Sequence, residues 1–86
     1  MILKVPFGLD LIPSFLDREL SRFSSIEFEN KNDNSFAYMI FRYEGRYRLA
    51  SIFEGIPTCH SDRDSLFEIF RENPELYRYC RIIGKE

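Results

Sequence analysis

Apolar side chains recur along this chain with two different periods, and the switches between them divide it into elements. In Ile2–Phe7 the period is two, with Leu3, Val5 and Phe7 on one side, which predicts a strand. Pro6 cannot donate to a ladder, so this strand belongs at an edge or stops there. After Gly8 the spacing becomes three and four, through Ile12, Phe15, Leu16, Leu20 and Phe23, and predicts a helix. Pro13 suits its first turn, Asp10 is placed to cap it, and Asp17, Arg18, Ser21 and Arg22 take the wet side.

Alternation returns at Ser25–Glu29, where Ile26 and Phe28 oppose Ser25, Glu27 and Glu29, as in a half-buried strand. Asn30–Asn34 is a polar turn cluster. Phe36–Tyr43 and Arg46–Phe53 then flank Glu44-Gly45, the pattern of a hairpin with a two-residue turn. Glu54–His60, with Gly55 and Pro57, reads as loop. Ser61 and Asp64 have the spacing of a capping box before Leu66, Phe67, Ile69 and Phe70, a second helix ending near Asn73-Pro74. Beyond it, Leu76, Tyr79, Cys80 and Ile83 keep helical spacing, while Tyr77–Ile83 is also a short apolar run closed by Gly84. The strand is the preferred reading. The expected order is β-α-β-β-β-α-β, an α+β fold with an antiparallel sheet of four to five strands and two helices, ferredoxin-like in spirit.

With 86 residues the chain has room for a single domain, residues 1–86, and a thin core. Nine Phe and five Tyr offset the small size, because each large apolar side chain contributes about 1.5–3 kcal/mol when buried. Disulfide staples are not required. The two cysteines, Cys59 and Cys80, form no C-x-x-C pair, no secretory signal precedes the first strand, and no apolar run reaches the ~20 residues of a membrane span. These features predict a cytoplasmic protein with no membrane partner. A Cys59–Cys80 bridge in a secreted domain is the competing view. The formal net charge of −2, with acids and bases interspersed, disfavours a protein whose main task is gripping phosphate backbone.

The hairpin carries the most functional information. A two-residue turn puts Phe36, Tyr38, Ile40, Leu49 and Phe53 on one face, with Arg42 and Tyr47 near the tip. Ala37, Met39, Phe41, Ala50 and Ile52 share the other, with Tyr43, Arg46 and Arg48 near the tip. Both faces are apolar, and two helices cannot easily cover both. Either the helices divide between the faces, or one apolar face is left for a partner. Tyr and Arg are enriched at binding hot spots, so Phe41, Tyr43, Arg46, Tyr47 and Arg48 are the expected anchors, with Arg78 and Arg81 at the rim. The plainer alternative is that arginine stems lie over tyrosine rings and steady a twisted hairpin.

Catalytic chemistry finds little support. His60 adjoins Cys59, but no third group orients the pair as a nucleophile needs. Cys59, His60 and Cys80 lack the close pair and the fourth ligand of a metal site. Glu27 and Glu29 lie on the wet side of a strand, while Asp62 and Asp64 suit a helix's first turn. No glycine-rich phosphate loop is present, and no cofactor is expected. Asn34-Ser35-Phe36-Ala37-Tyr38-Met39-Ile40-Phe41 resembles the aromatic core strand of RNA-recognition-motif domains. Asn34 and Ser35 stand where that motif has a basic residue and glycine, Met39 replaces a branched aliphatic, and Arg46–Phe53 is an added strand. The resemblance implies Phe36 and Tyr38 as a base-stacking platform, with Arg42 contacting phosphate. The leading expectation is a non-enzymatic binding module, a regulator or inhibitor that engages a protein partner or a second copy of itself. Single-stranded RNA binding is the alternative.

Overall fold

The alternating segments form a five-stranded antiparallel sheet in the computed structural model, which describes residues 1–6, 8–30, 36–79 and 81–86, with Phe36 by its backbone alone. A 3-10 turn, Leu9–Leu11, leads into α1 (Ile12–Glu19), and then come β1 (Ser25–Glu29), β2 (Phe36–Tyr43), β3 (Arg46–Phe53) and β4 (Ile56–Arg63). Helix α2 (Leu66–Glu72), a second 3-10 turn (Pro74–Arg78) and β5 (Arg81–Lys85) complete the chain. The strands lie side by side in the order β4-β3-β2-β1-β5, so β2 is the middle strand. This is the expected α+β class. Among the described residues, no helix is long and apolar enough to cross a membrane.

Three local expectations are revised. Ile2–Phe7 is not a full strand. Ile2 makes one bridge to Ile83, the Leu3 N–H donates to Ile82 O at 2.8 Å, and the Gly84 N–H donates to Met1 O at 2.8 Å. Pro6 brings no N–H to extend that ladder, and Gly8 at φ 97° turns the chain toward α1. Phe7, expected on the strand's apolar side, lies outside the described residues, as does the polar turn at 31–35.

The segment expected as loop contains the second revision. Glu54-Gly55 repeats the chemistry of Glu44-Gly45, and both pairs take positive φ (53° and 76°, then 52° and 79°). Two successive residues of this kind turn a hairpin in two residues. Phe53 and Ile56 therefore close a second hairpin, and β4 runs on along β3. The register shifts between Leu49 and Ala50, where His60 is the extra residue in β4.

The third revision concerns helix caps. Ser61 belongs to β4, and the cap of α2 lies four residues later, where the Ser65 hydroxyl accepts from the Glu68 N–H at 3.4 Å. Asp10 does not cap α1, whose cap position is Leu11 with no side-chain hydrogen bond.

Both helices pack on one face of the sheet. Leu16, Leu20, Phe23, Leu66, Ile69, Phe70 and Leu76 meet Ile26, Phe28, Ile40, Leu49 and Ile82 in a single buried cluster. Phe28 and Phe70 meet edge to face at 6.1 Å. Tyr47, expected as a binding anchor, is part of this core at 8% exposure, and its hydroxyl donates to Asp17 on α1. The register explains it: Tyr47 is two residues from Leu49 on β3 and faces the helices with it.

Candidate functional site

Residues directly opposite one another in an antiparallel pair point to the same face, so the register defines the face without helices. Ser25, Phe41, Arg48, Asp62 and Lys85 form one row across it, linked by the pairs Ser25–Phe41, Phe41–Arg48, Arg48–Asp62 and Ser25–Lys85. The next row is Cys59, Ala50, Met39, Glu27 and Ile83. Ile52 and Pro57 pair beyond it, and Tyr43 pairs with Arg46 at the hairpin tip.

The centre of this face is apolar and concave. A cavity of about 410 Å³ lies among Ser25, Met39, Phe41, Ala50, Pro57 and Cys59. A neighbouring one of about 350 Å³ lies among Glu27, Met39, Ile52, Gly55 and Pro57. Met39 and Pro57 line both, and Met39 stands as a ridge between two hollows. The small side chain of Ala50 helps to set the depth.

Charge rings the trough, and each described cation of the face has a carboxylate beside it. Arg46 donates through Nε to Asp62 Oδ1 at 2.6 Å and through Nη1 to Asp64 Oδ1. Arg48 Nη2 lies 3.6 Å from Asp62 Oδ2. Arg81 reaches the buried Glu29 carboxylate at 3.4 Å, and Lys85 Nζ is 3.8 Å from Glu27 Oε2. The hydrogen bond from Arg46 is the largest cause holding the Asp62 carboxyl below the ordinary carboxylate range, with the charges of Arg46, Arg48 and Arg63 adding to it. Arginines also cover the tip tyrosines, Arg48 over Tyr43 at 4.6 Å and Arg42 over Tyr47 at 5.1 Å. The plainer role for these residues, guanidinium over ring, is thus present in both pairs.

The predicted anchors divide. Phe41, Tyr43, Arg46 and Arg48 stand on the open face with Arg81, and Tyr47 is in the core. Arg78 is exposed at the end of the second 3-10 turn, on the helical layer and apart from the others. The residues that complete the trough, Met39, Ala50, Ile52, Pro57 and Cys59, were not among the expected anchors. The Glu-Gly dipeptide at 54–55 was the signal that would have brought Pro57 and Cys59 onto the sheet.

The residues expected for RNA stacking lie elsewhere. Tyr38 is on the helix-covered face, half-buried, with Tyr79 edge-on at 5.9 Å and His60 at 6.3 Å. Its hydroxyl donates to Glu75 Oε1 at 3.5 Å, and burial is the first cause that raises its pKa. Arg42 is held over Tyr47, and the side chain of Phe36 lies outside the described residues.

Cys59 and His60 point apart. The Cys59 thiol borders the trough, whereas the His60 ring leans on Tyr38 across the sheet. They do not form a nucleophile pair. No group of three or more metal-ligating side chains occurs among the described residues, and Cys80 lies outside them. No protein-family model matches the chain, and neither a curated protein nor a solved structure does. The functional reading therefore rests on geometry.

Proposed function

We propose that this protein is a non-enzymatic binding module that engages a protein surface through the open face of its sheet. The observation that carries this reading is the apolar trough around Met39, Phe41, Ala50 and Pro57, on the face opposite the one that the described helices cover. A contiguous exposed apolar patch on a small domain is the physical signature of a surface made for contact with a protein, a ligand or a membrane. The surrounding cations are already matched by Asp62, Asp64, Glu29 and Glu27, which suits a neutral protein surface better than a phosphate backbone. A module of this kind acts as a regulator or inhibitor by occupying a partner's surface, here within a reducing cytoplasm where Cys59 stays a thiol.

The test is quantitative capture from an extract of the source cells with three baits: wild type, Met39→Glu on the open face and Phe67→Glu on the exposed side of α2. Proteins held by wild type and by Phe67→Glu, and lost with a folded Met39→Glu, are the expected result. Identical capture by all three baits would remove the open face from consideration.

A further inference from the structure

We infer that the surface this face takes is a second copy of the chain, the two sheets stacked about a two-fold axis along β2. The inference rests on the binding-module reading and adds the partner to it.

Edge pairing is the usual alternative route to a sheet dimer, and both edges here are blunted. On β4 the closing pair of the second hairpin is Phe53–Ile56, so Pro57, one residue on, turns its nitrogen away from β3 toward the free edge. That edge lacks a donor there and is bent by the bulge at His60. On β5 the backbone of Met1 and Leu3 already occupies Ile82 and Gly84. With both edges blunted, pairing through the sheet falls to its open face.

The layout of the face is self-complementary about one axis. Because β2 is the middle of five strands, a two-fold axis along it lays β4 over the second copy's β5, and β3 over its β1. Asp62 and Lys85 share a row, so the carboxylate at one border meets the ammonium at the other. Arg48 on β3 comes over β1, one row from Glu27. Met39 and Phe41, on the central strand, meet their own counterparts across the axis as an apolar seam. An axis across the strands through the Met39 row does the opposite, setting Glu27 on Glu27 and Lys85 near Arg81. Charge therefore selects the axis along β2.

The size is also adequate. With strands about 4.8 Å apart and about 3.3 Å of rise per residue, the face projects roughly 500 Å² before side-chain relief is counted. Relief raises this toward the ~800 Å² per partner of a standard stable interface.

Sedimentation of the full chain from low to several hundred micromolar tests the inference. Wild type is expected to move with concentration toward twice its 10.3 kDa mass, and a folded Met39→Glu is expected to dimerise at least tenfold more weakly. A second readout does not depend on how Met39→Glu folds. With Cys59→Ser and Cys80→Ser as background, Tyr43→Cys lies on the axis and should be joined to its counterpart by a short bis-maleimide, whereas Phe67→Cys should not. A chain monomeric throughout the range overturns self-pairing, and so does cross-linking at Phe67 in place of Tyr43. If that monomer still shows Met39-dependent capture from extract, the binding-module reading survives with a different partner. If the capture also fails to depend on Met39, both readings fall.

Discussion

Phe23 and Gly84 illustrate how one missing carbon decides local packing. The Phe23 ring lies flat against the Gly84 backbone, and a Cβ built there would come within 2.6 Å of it, close to Cγ as well as the ring edge. The ring is in the core at 7% exposure and cannot swing clear without opening a void. Gly84→Ala is therefore expected to destabilise by about 1–3 kcal/mol, the usual cost of overpacking, read from urea unfolding. The glycine was legible as the end of the last apolar run. Its reason was not, because the ring above it comes from a residue 61 positions earlier in the chain. Tyr47 makes the same point from the other side. Its type and position at a hairpin tip suggested an anchor, and only its register with Leu49 shows that it faces α1.

At the scale of elements, parity along β2 separates core from surface. Ile40 is fully buried under the helices, and Met39 beside it opens on the trough. Ile40→Ala is expected to cost about 2–5 kcal/mol, the range for truncating a buried aliphatic side chain. Met39→Thr should cost clearly less than Ile40→Ala at low micromolar protein, because Met39 is only partly buried and threonine suits a strand. Equal losses at both positions in chemical denaturation would show that the open face is not open. The β1 alternation and the first hairpin were readable from local pattern, since both faces of β1 differ in polarity and Glu44-Gly45 has room for only one turn. The second hairpin was masked by composition: Gly55 and Pro57 make Glu54–His60 look like loop, yet a hairpin turn takes the glycine and an edge strand tolerates the proline. Likewise Ser65 and Glu68 form the cap that Ser61 and Asp64 only suggested, and the end of β4 decided between them.

Across the whole molecule, two carboxylates tie β4 to its neighbours, Asp62 to β3 through Arg46 and Glu72 of α2 to Arg63 of β4 at 2.8 Å. The hydrogen bonds from Arg46 and Arg63 are the largest causes that lower the pKa of Asp62 and of Glu72. A lowered folded pKa means the unfolded chain binds protons first as pH falls. The stabilisation is complete above the ordinary carboxylate range of about 4 and is lost as pH drops through the lower folded values. Unfolding midpoints measured between pH 7 and 2.5 should fall in that acid window, with a shallower fall for Asp62→Asn, and both sites are exposed enough that added salt will reduce the effect.

The α+β class, the helix at α1, the alternation of β1 and the tight turn at Glu44-Gly45 were legible in the chain alone, because each follows from neighbours within a few residues. Which face of the hairpin is covered is another matter. Both faces of β2 and β3 are apolar, so hydrophobic pattern is symmetric between them, and the choice falls to where Phe23, Leu16 and Phe70 land once α1 and α2 cross the same side of the sheet. That placement buries Ile40, Tyr47 and Leu49, and it leaves Met39, Phe41 and Ala50 to form the trough.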